Sequence, residues 1–136
     1  MLQNNKLKIL RLFFDYPTEN FQLRQISRET KIAITSVKSY LIHLIKEGFL
    51  VLVKKGIYPS YKSNRDSEMF KLYKKLDLIA RTELSGLLNY VYDSCTPNCI
   101  VLFGSASKGE DIEQSDIDLF VQAKEKKLNF EKYEKL

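Results

Sequence analysis

The chain has 136 residues, 44% of them hydrophobic and 12% aromatic, which is typical of a folded globular protein and excludes a disordered one. No segment reaches the roughly 18 uncharged apolar residues of a membrane span, and no hydrophobic signal core follows Met1, so we expect a cytoplasmic protein without a membrane partner. Cys95 and Cys99 lack a second Cys or His pair, which argues against a zinc site and favours structural thiols.

The net charge of +5 is unevenly distributed along the chain. Residues 1–65 carry 12 Lys and Arg against 4 Asp and Glu, a net of +8, whereas residues 66–136 carry 10 against 13, a net of −3. This division predicts a polyanionic partner for the first part and a metal or nucleotide site for the second. A solvated, lysine-rich surface is the alternative explanation of the charge alone.

The N-terminal part is predicted to contain three helices. A dense apolar cluster over residues 6–14 predicts the first, which ends before Pro17. Residues 23–30 predict a short second helix, and a third begins near Ala33 and ends at Gly48. A β-ribbon follows.

In this ribbon, residues 49–53 form an apolar strand and residues 54–56 a turn. Ile57 and Tyr58 are expected to form the returning strand, limited by Pro59.

The next region, residues 67–95, has apolar residues mostly three apart and predicts one long helix or two, with a break at Ser85-Gly86. Residues 100–103 predict a buried strand that leads into a tight turn. A brief helix ending at Gly109, a polar loop and a second strand over residues 116–121 should follow. Residues 129–136 are expected to begin another helix.

Three helices followed by a two-stranded ribbon resemble the winged helix-turn-helix family over roughly residues 5–62. The resemblance rests on the segment 23–27 for the second helix, 36–44 for the third and 47–50 before the wing. In that family the third helix enters the major groove of DNA and the wing follows phosphates. The resemblance therefore implies duplex DNA as a partner.

With Val37, Leu41 and Leu44 in the core, the opposite face of the third helix provides the candidate groove residues. These are Thr35, Ser36, Ser39, Tyr40 and His43. Lys38, Lys54 and Lys55 are expected to contact phosphate. The alternative for His43 is an ordinary surface or helix-packing histidine, and for Tyr40 it is a packing role. The whole module could instead dock a protein or form a dimer.

The most informative segment contains Gly104-Ser105 and, eleven residues later, Asp116-Ile117-Asp118. Both aspartates are expected to lie in the second strand, where their side chains share a face about 7 Å apart, a spacing that suits one or two divalent cations. Gly104 permits close approach of a phosphate. Ser105 offers a hydroxyl and an N–H at a helix start, where anions are favoured.

These elements resemble the signature of the DNA polymerase beta-like nucleotidyltransferase superfamily, and especially the minimal nucleotidyltransferases of bacteria and archaea. The matching patterns are Gly-Ser-x-x-x-Gly and Ser-Asp-Ile-Asp-Leu. The resemblance implies that Asp116 and Asp118 are catalytic and bind Mg²⁺ or Mn²⁺. It also implies that Gly104 and Ser105 bind the phosphates of a nucleoside triphosphate, whose nucleotidyl group is transferred to an acceptor hydroxyl as pyrophosphate leaves. Lys108 lies one turn after Ser105 and is expected to reach a phosphate.

One departure from the family pattern concerns a third carboxylate, which the family supplies from a later strand. Glu131 and Glu134 lie in the expected last helix and are poor substitutes. The sequence suggests a truncated fold, a carboxylate supplied by another chain, or a missing one. A catalytically degenerate domain that binds nucleotide or mediates assembly is the alternative to an enzyme.

We therefore predict an α+β protein with three parts. Residues 1–65 form a three-helix winged helix-turn-helix with a β-wing, residues 66–94 a helical linker or dimerisation segment, and residues 95–136 the first part of a nucleotidyltransferase fold. The long apolar segment between Phe70 and Val91 predicts a homodimer.

Overall fold

The computed structural model describes residues 4–134, which contain six helices and two antiparallel sheets, in agreement with the α+β class. The N-terminal helices are α1 (Asn5–Asp15), α2 (Leu23–Thr30) and α3 (Ile34–Lys46). Their number and order confirm the sequence prediction. Gly48 has a left-handed φ of +81° just after α3, as expected for the residue that ends this helix.

The first sheet contains one strand more than predicted. Its strands are β1 (Asn20–Gln22), β2 (Leu50–Val53) and β3 (Ser60–Ser63), and β3 lies between the other two. The prediction of a returning strand at Ile57 and Tyr58 was wrong. These residues lie in the loop between β2 and β3, because Tyr61, rather than Tyr58, pairs with Leu52.

The N-terminal core is closely packed. It includes the predicted Val37, Leu41 and Leu44 of α3 and the aromatic residues Phe13 and Phe21, whose ring centroids lie 5.3 Å apart in an edge-to-face arrangement. Such pairs stabilise the folded state by about 1 kcal/mol in addition to the stabilisation from the apolar area that they bury. This core positions α3 with its opposite face in solvent.

The region predicted to form one long helix or two contains two, α4 (Glu68–Leu84) and α5 (Leu87–Cys95). The break lies at the predicted Ser85-Gly86, where Gly86 has a φ of +80°. Ser67 caps α4 by accepting a hydrogen bond from the Phe70 N–H. Phe70 belongs to the N-terminal core and packs against Phe14 with centroids 5.3 Å apart.

A network of charged side chains joins α4 to α1. Asp77, whose side chain is 4% exposed, accepts a 2.8 Å hydrogen bond from Arg11 Nε. Arg81 Nε lies 3.0 Å from the other Asp77 oxygen, but its N–H does not point at that oxygen, so this contact is an ion pair without a hydrogen bond. Arg81 also donates to Asp15 at 2.9 Å.

The C-terminal part contains β4 (Cys99–Phe103), α6 (Gly104–Lys108) and β5 (Asp118–Gln122), and β4 pairs with β5. The expectation of a buried strand before Gly104 was wrong, because Val101 and Phe103 are about half-exposed. The expected helix at residues 129–136 is only a 3₁₀ turn (Glu131–Tyr133) among the described residues, and residues 135–136 lie outside them.

Cys95 and Cys99 are free thiols, and the Cys95 thiol donates to the Val91 carbonyl at 3.2 Å. Over the described part of the chain, no helix is long and apolar enough to cross a membrane.

Candidate active site

The pairing of β4 with β5 brings the two halves of the sequence motif together. Phe103 is opposite Asp118 in the antiparallel register, and Gly104 directly follows Phe103. A Cβ on Gly104 would overlap Oδ2 of Asp118 and would lie 3.2 Å from its Cγ. Gly104 also has a φ of +72°, which disfavours any other residue. The motif therefore needs glycine here so that the Asp118 carboxylate can lie against the backbone.

The turn after Gly104 forms the five-residue helix α6. Ser105 is half-buried in its first turn, and the Ser107 hydroxyl donates to the Gly104 carbonyl at 2.7 Å. Lys108 is exposed at the end of the helix. Gly109 ends it with a φ of +70° and packs against the backbone of Lys71 in α4. The predicted helix and its stop are thus confirmed.

Asp116 does not occupy the predicted strand, because β5 begins at Asp118. The expectation that strand alternation places both carboxylates on one face was therefore wrong. Asp116 is exposed in the preceding loop and lines a groove of about 1050 Å³ together with Ile117, Leu119 and Val121. Asp118 is half-buried against Gly104.

The loop of residues 110–117 is attached to the rest of the molecule at three points. Glu110 forms an ion pair with Lys71 at 3.2 Å, and Asp111 forms one with Lys74. Glu113 accepts hydrogen bonds from the Thr18 N–H and hydroxyl at 2.8 and 2.9 Å. Sequence reasoning missed these partners, although one signal was present: Lys74 shares the helical face of Phe70 and Leu78, where a charged residue is out of place.

Two of these groups have shifted pKa values. The hydrogen bond to Glu110, followed by that to Glu68, raises the pKa of Lys71 above its ordinary value of 10.5. For Glu113, desolvation favours the neutral form. Hydrogen bonds from Thr18 and from the backbone of Glu113 itself, together with the charge of Arg65, outweigh it and lower the pKa of Glu113. Both shifts favour the charged forms that hold the loop.

The donor set of the motif fits a hard divalent cation. Mg²⁺ binds carboxylate oxygens and usually takes only one or two from the protein, with the other positions filled by water and substrate phosphates. Asp116 and Asp118 carry carboxylates of this kind. Within residues 4–134, no group of three or more His, Cys, Asp or Glu side chains is placed to hold a metal ion.

The candidate DNA contacts lie mainly on the solvent side of the N-terminal part. Thr35, Lys38, Ser39 and His43 on α3 and Lys54 and Lys55 in the β2–β3 loop are exposed, whereas Ser36 is half-buried. Tyr40 packs partly against the core, as the packing alternative for it required.

Comparison with known proteins gives two matches. Residues 85–136 match the family model described as Polymerase beta, Nucleotidyltransferase. This match supports the superfamily inferred from the Gly-Ser and Asp-x-Asp elements. It covers less than half of the chain and includes α5 as well as the motif.

The second match is to the mitochondrial valine–tRNA ligase of Schizosaccharomyces pombe, at 30% identity over 84 residues. The aligned part is 60% of this chain but 9% of that protein. The chain thus spans only a small part of this relative's length.

Proposed function

We propose that this chain is a metal-dependent nucleotidyltransferase that transfers a nucleotidyl group from a nucleoside triphosphate to an acceptor hydroxyl. The contact between Gly104 and the Asp118 carboxylate is the observation that carries the proposal. It joins the phosphate-binding and acidic elements, 14 positions apart in sequence, within one site. The family match over residues 85–136 supports the same reaction class.

Each site residue has a proposed role. Asp116 and Asp118 would hold Mg²⁺ or Mn²⁺, which supplies positive charge to the triphosphate and to the departing pyrophosphate. Gly104 and Ser105 would bind phosphate through backbone N–H groups and a hydroxyl, and the exposed Lys108 would reach a phosphate from the end of α6. The acceptor oxygen bonds to the α-phosphorus as the bond from that phosphorus to the pyrophosphate oxygen breaks, and the proton of the acceptor hydroxyl passes to water.

A second function is favoured by the number of carboxylates. Two candidate ligands are sufficient to bind a metal–triphosphate complex, but activation of an acceptor hydroxyl typically gains about 10²–10⁴-fold from a placed base. A DNA-binding regulator whose nucleotidyltransferase-like part binds nucleotide without turnover would need no further carboxylate. On this second proposal we expect metal-dependent nucleotide binding without transfer.

The enzymatic proposal is tested by titration calorimetry with a non-hydrolysable triphosphate and Mg²⁺, alongside transfer assays with labelled ATP, GTP, CTP and UTP. Asp118→Asn should abolish metal-dependent binding, whereas Asp93→Asn, which removes an exposed carboxylate on α5, should leave it unchanged. Absence of binding by the unsubstituted chain would contradict the proposal. Binding without transfer would favour the regulator.

We further propose that the N-terminal part is a winged helix-turn-helix that binds duplex DNA. The supporting features are its net charge of +8, the exposed face of α3 and the exposed lysines of the β2–β3 loop. Contacts from Thr35, Ser36, Ser39 and His43 would read bases, with Tyr40 at the edge of this face. Lys38, Lys54 and Lys55 would neutralise phosphates.

Fluorescence anisotropy of labelled duplexes across a salt series tests this interaction. Replacing Lys54 and Lys55 by Ala should weaken binding about equally for all sequences and reduce the salt slope by roughly one unit per lysine. Lys124→Ala with Lys127→Ala removes the same charge elsewhere and serves as the control. Because the matched relative is a tRNA ligase, tRNA is included as a competitor, and stronger binding of tRNA would redirect the proposal to RNA.

We also propose that a second copy of this chain packs on α4. Met69, Leu72, Leu76 and Ile79 follow alternating spacings of three and four and are each 40–50% exposed, so they form one apolar stripe. A specific interface buries on the order of 1000 Å² or more in total, so residues that flank the stripe would contribute to the contact as well. Of the segment predicted to mediate dimerisation, Phe70, Leu87 and Val91 are instead buried within the monomer.

Light scattering over a concentration series tests the dimer. Leu76→Glu places a charge at the centre of the stripe and should shift the mass to that of a monomer. Glu68→Gln, at the first residue of α4, should leave the mass unchanged. A monomeric mass for the unsubstituted chain at high concentration would contradict the proposal.

A further inference from the structure

The ion pair between Lys74 and Asp111 fixes the start of the loop that carries Asp116. The Lys74 side chain is only 4% exposed, and its ammonium contacts two acceptors on one residue, the Asp111 carboxylate and the Asp111 carbonyl, the latter at 2.9 Å. A lysine ammonium has three donors, so one group can hold both the side chain and the backbone of Asp111. The loop thus has a charged anchor on α4.

From this anchor the path to Asp116 is short and internally bonded. The Ile112 N–H donates to the Ser115 hydroxyl at 2.9 Å, and the Ser115 N–H donates to the Ile112 carbonyl at the same distance. These two bonds close a turn between Asp111 and Asp116. We expect a displacement of Asp111 to reach Asp116 through this turn.

Burial of a lysine ammonium is costly, and an apolar residue would fill the same space without that cost. Phe70 and Leu78, one turn before and one turn after Lys74, are buried apolar residues, whereas Asp77 and Thr82 are buried polar residues of the same helix. A role in stability alone gives no reason for a charge at this position. A role in orienting the loop does, because an ammonium has several donors for the two Asp111 acceptors and its charge favours the Asp111 carboxylate.

We infer that Lys74 is a positioning residue of the candidate site, which orients the Asp116 ligand through Asp111 without contacting substrate. The inference rests on the proposed nucleotidyltransferase function. Loss of an outer residue that orients a metal ligand typically weakens metal affinity about 10–100-fold. Lys74 would be such a residue, although it lies outside both motif elements.

The experiment compares the full chain with Lys74→Met, Asp111→Asn, the double variant and Lys75→Met. The first readout is hydrogen exchange without metal or nucleotide. Exchange at the Ile112, Ser115 and Thr18 amides should accelerate about tenfold or more in both single variants, as expected for a loop released from its anchor. The amides of α1 and α3 should be unchanged, which separates positioning from general destabilisation.

The second readout is the dissociation constant for Mn²⁺ with a non-hydrolysable triphosphate. Both single variants should bind at least about tenfold more weakly, the double variant should be no worse than either, and Lys75→Met should match the unsubstituted chain. If the unsubstituted chain binds no Mn²⁺–nucleotide, the proposed function and this inference are both contradicted. If it binds and Lys74→Met binds equally well, or if loop exchange is unchanged, only the inference is overturned. Should Lys74→Met fail to fold, Asp111→Asn alone decides the outcome.

Discussion

The N-terminal core and the C-terminal sheet differ in how completely their apolar residues are covered. Ile9, Phe13, Val37 and Leu44 are fully buried in one continuous cluster. In β4 and β5, by contrast, Val101 pairs with Phe120, and both side chains remain about half-exposed. Two-stranded sheets are marginally stable on their own. The first region is therefore held by packing, whereas the second depends more on its charged attachments to α4 and Thr18.

This difference assigns different roles to similar residues. A phenylalanine in the N-terminal core stabilises the fold, whereas one on the open sheet face contributes little to the stability of the monomer. Charged residues show the opposite distribution, because the connections of the 110–117 loop to Lys71, Lys74 and Thr18 are all polar. The candidate site thus lies in the region with the less complete core.

The largest expected effect contrasts two phenylalanines. Phe13→Ala removes a ring that is 0% exposed and should lower the free energy of unfolding by about 3–5 kcal/mol. Phe120→Ala removes a ring that is 54% exposed and should change it by less than about 1 kcal/mol. Urea denaturation followed by circular dichroism measures both. Equal losses would show that the two regions are packed alike.

A smaller effect is expected at the junction of α1 and α4. Arg11→Met combined with Arg81→Met leaves the Asp77 carboxylate, 4% exposed, without a cationic partner. We expect a loss of about 2 kcal/mol, below the usual cost of breaking a buried pair because both arginines are about one quarter exposed. Adding Asp77→Leu should recover most of this loss in the same denaturation assay, and failure to recover would contradict the electrostatic explanation.

The third prediction separates backbone strain from site geometry. Gly104→Ala and Gly86→Ala both place a side chain at a φ near +75°, at a cost of about 1 kcal/mol each. Only at Gly104 would the new Cβ meet the Asp118 carboxylate, because nothing lies within 4 Å of the corresponding position at Gly86. Calorimetry should therefore show weakened metal–nucleotide binding for Gly104→Ala alone. Equal weakening by both variants would contradict the assigned geometry.

The smallest expected effect is the pH dependence of the Glu113 contact. The folded-state pKa of Glu113 is lower than its ordinary value of 4.5, so its contribution to stability is present above pH 4.5 and is lost as the pH falls through the folded-state pKa. This contribution should be below about 1 kcal/mol because solvent screens the contact. The NMR chemical shift of the Thr18 amide should therefore change as the pH falls below 4.5. Glu113→Gln should remove that step, and its persistence would assign the titration to another group.

Much of this architecture could be predicted because local signals decide it. Apolar periodicity gave α2 its observed bounds, residues 23–30, and Gly86 and Gly109 marked the helix ends. β1 was missed because a three-residue strand of Asn20, Phe21 and Gln22 has no pattern of its own and exists only through pairing with β3. Strand periodicity likewise could not show that Asp116 lies outside β5. The strand begins at Asp118 because Asp118 pairs with Phe103, the last residue of β4.

The attachments of the loop could not be predicted for a related reason. Thr18 and Glu113 are 95 positions apart, and Lys74 and Asp111 are 37 apart. Such contacts depend on how α4 and α6 pack, which no local pattern contains. The spacing of Gly104 and Asp118, in contrast, could be recognised through the resemblance to a known family.

The position of Phe70 bears on how the chain can be divided or recombined. Phe70 belongs to α4, yet its ring packs against Phe14 within the N-terminal core, while Lys71 and Lys74 on the same helix hold the acidic loop. α4 therefore packs against both regions. A fragment cut at residue 65 would lose part of its own core, so a transplant of the N-terminal region into another protein must carry α4 with it.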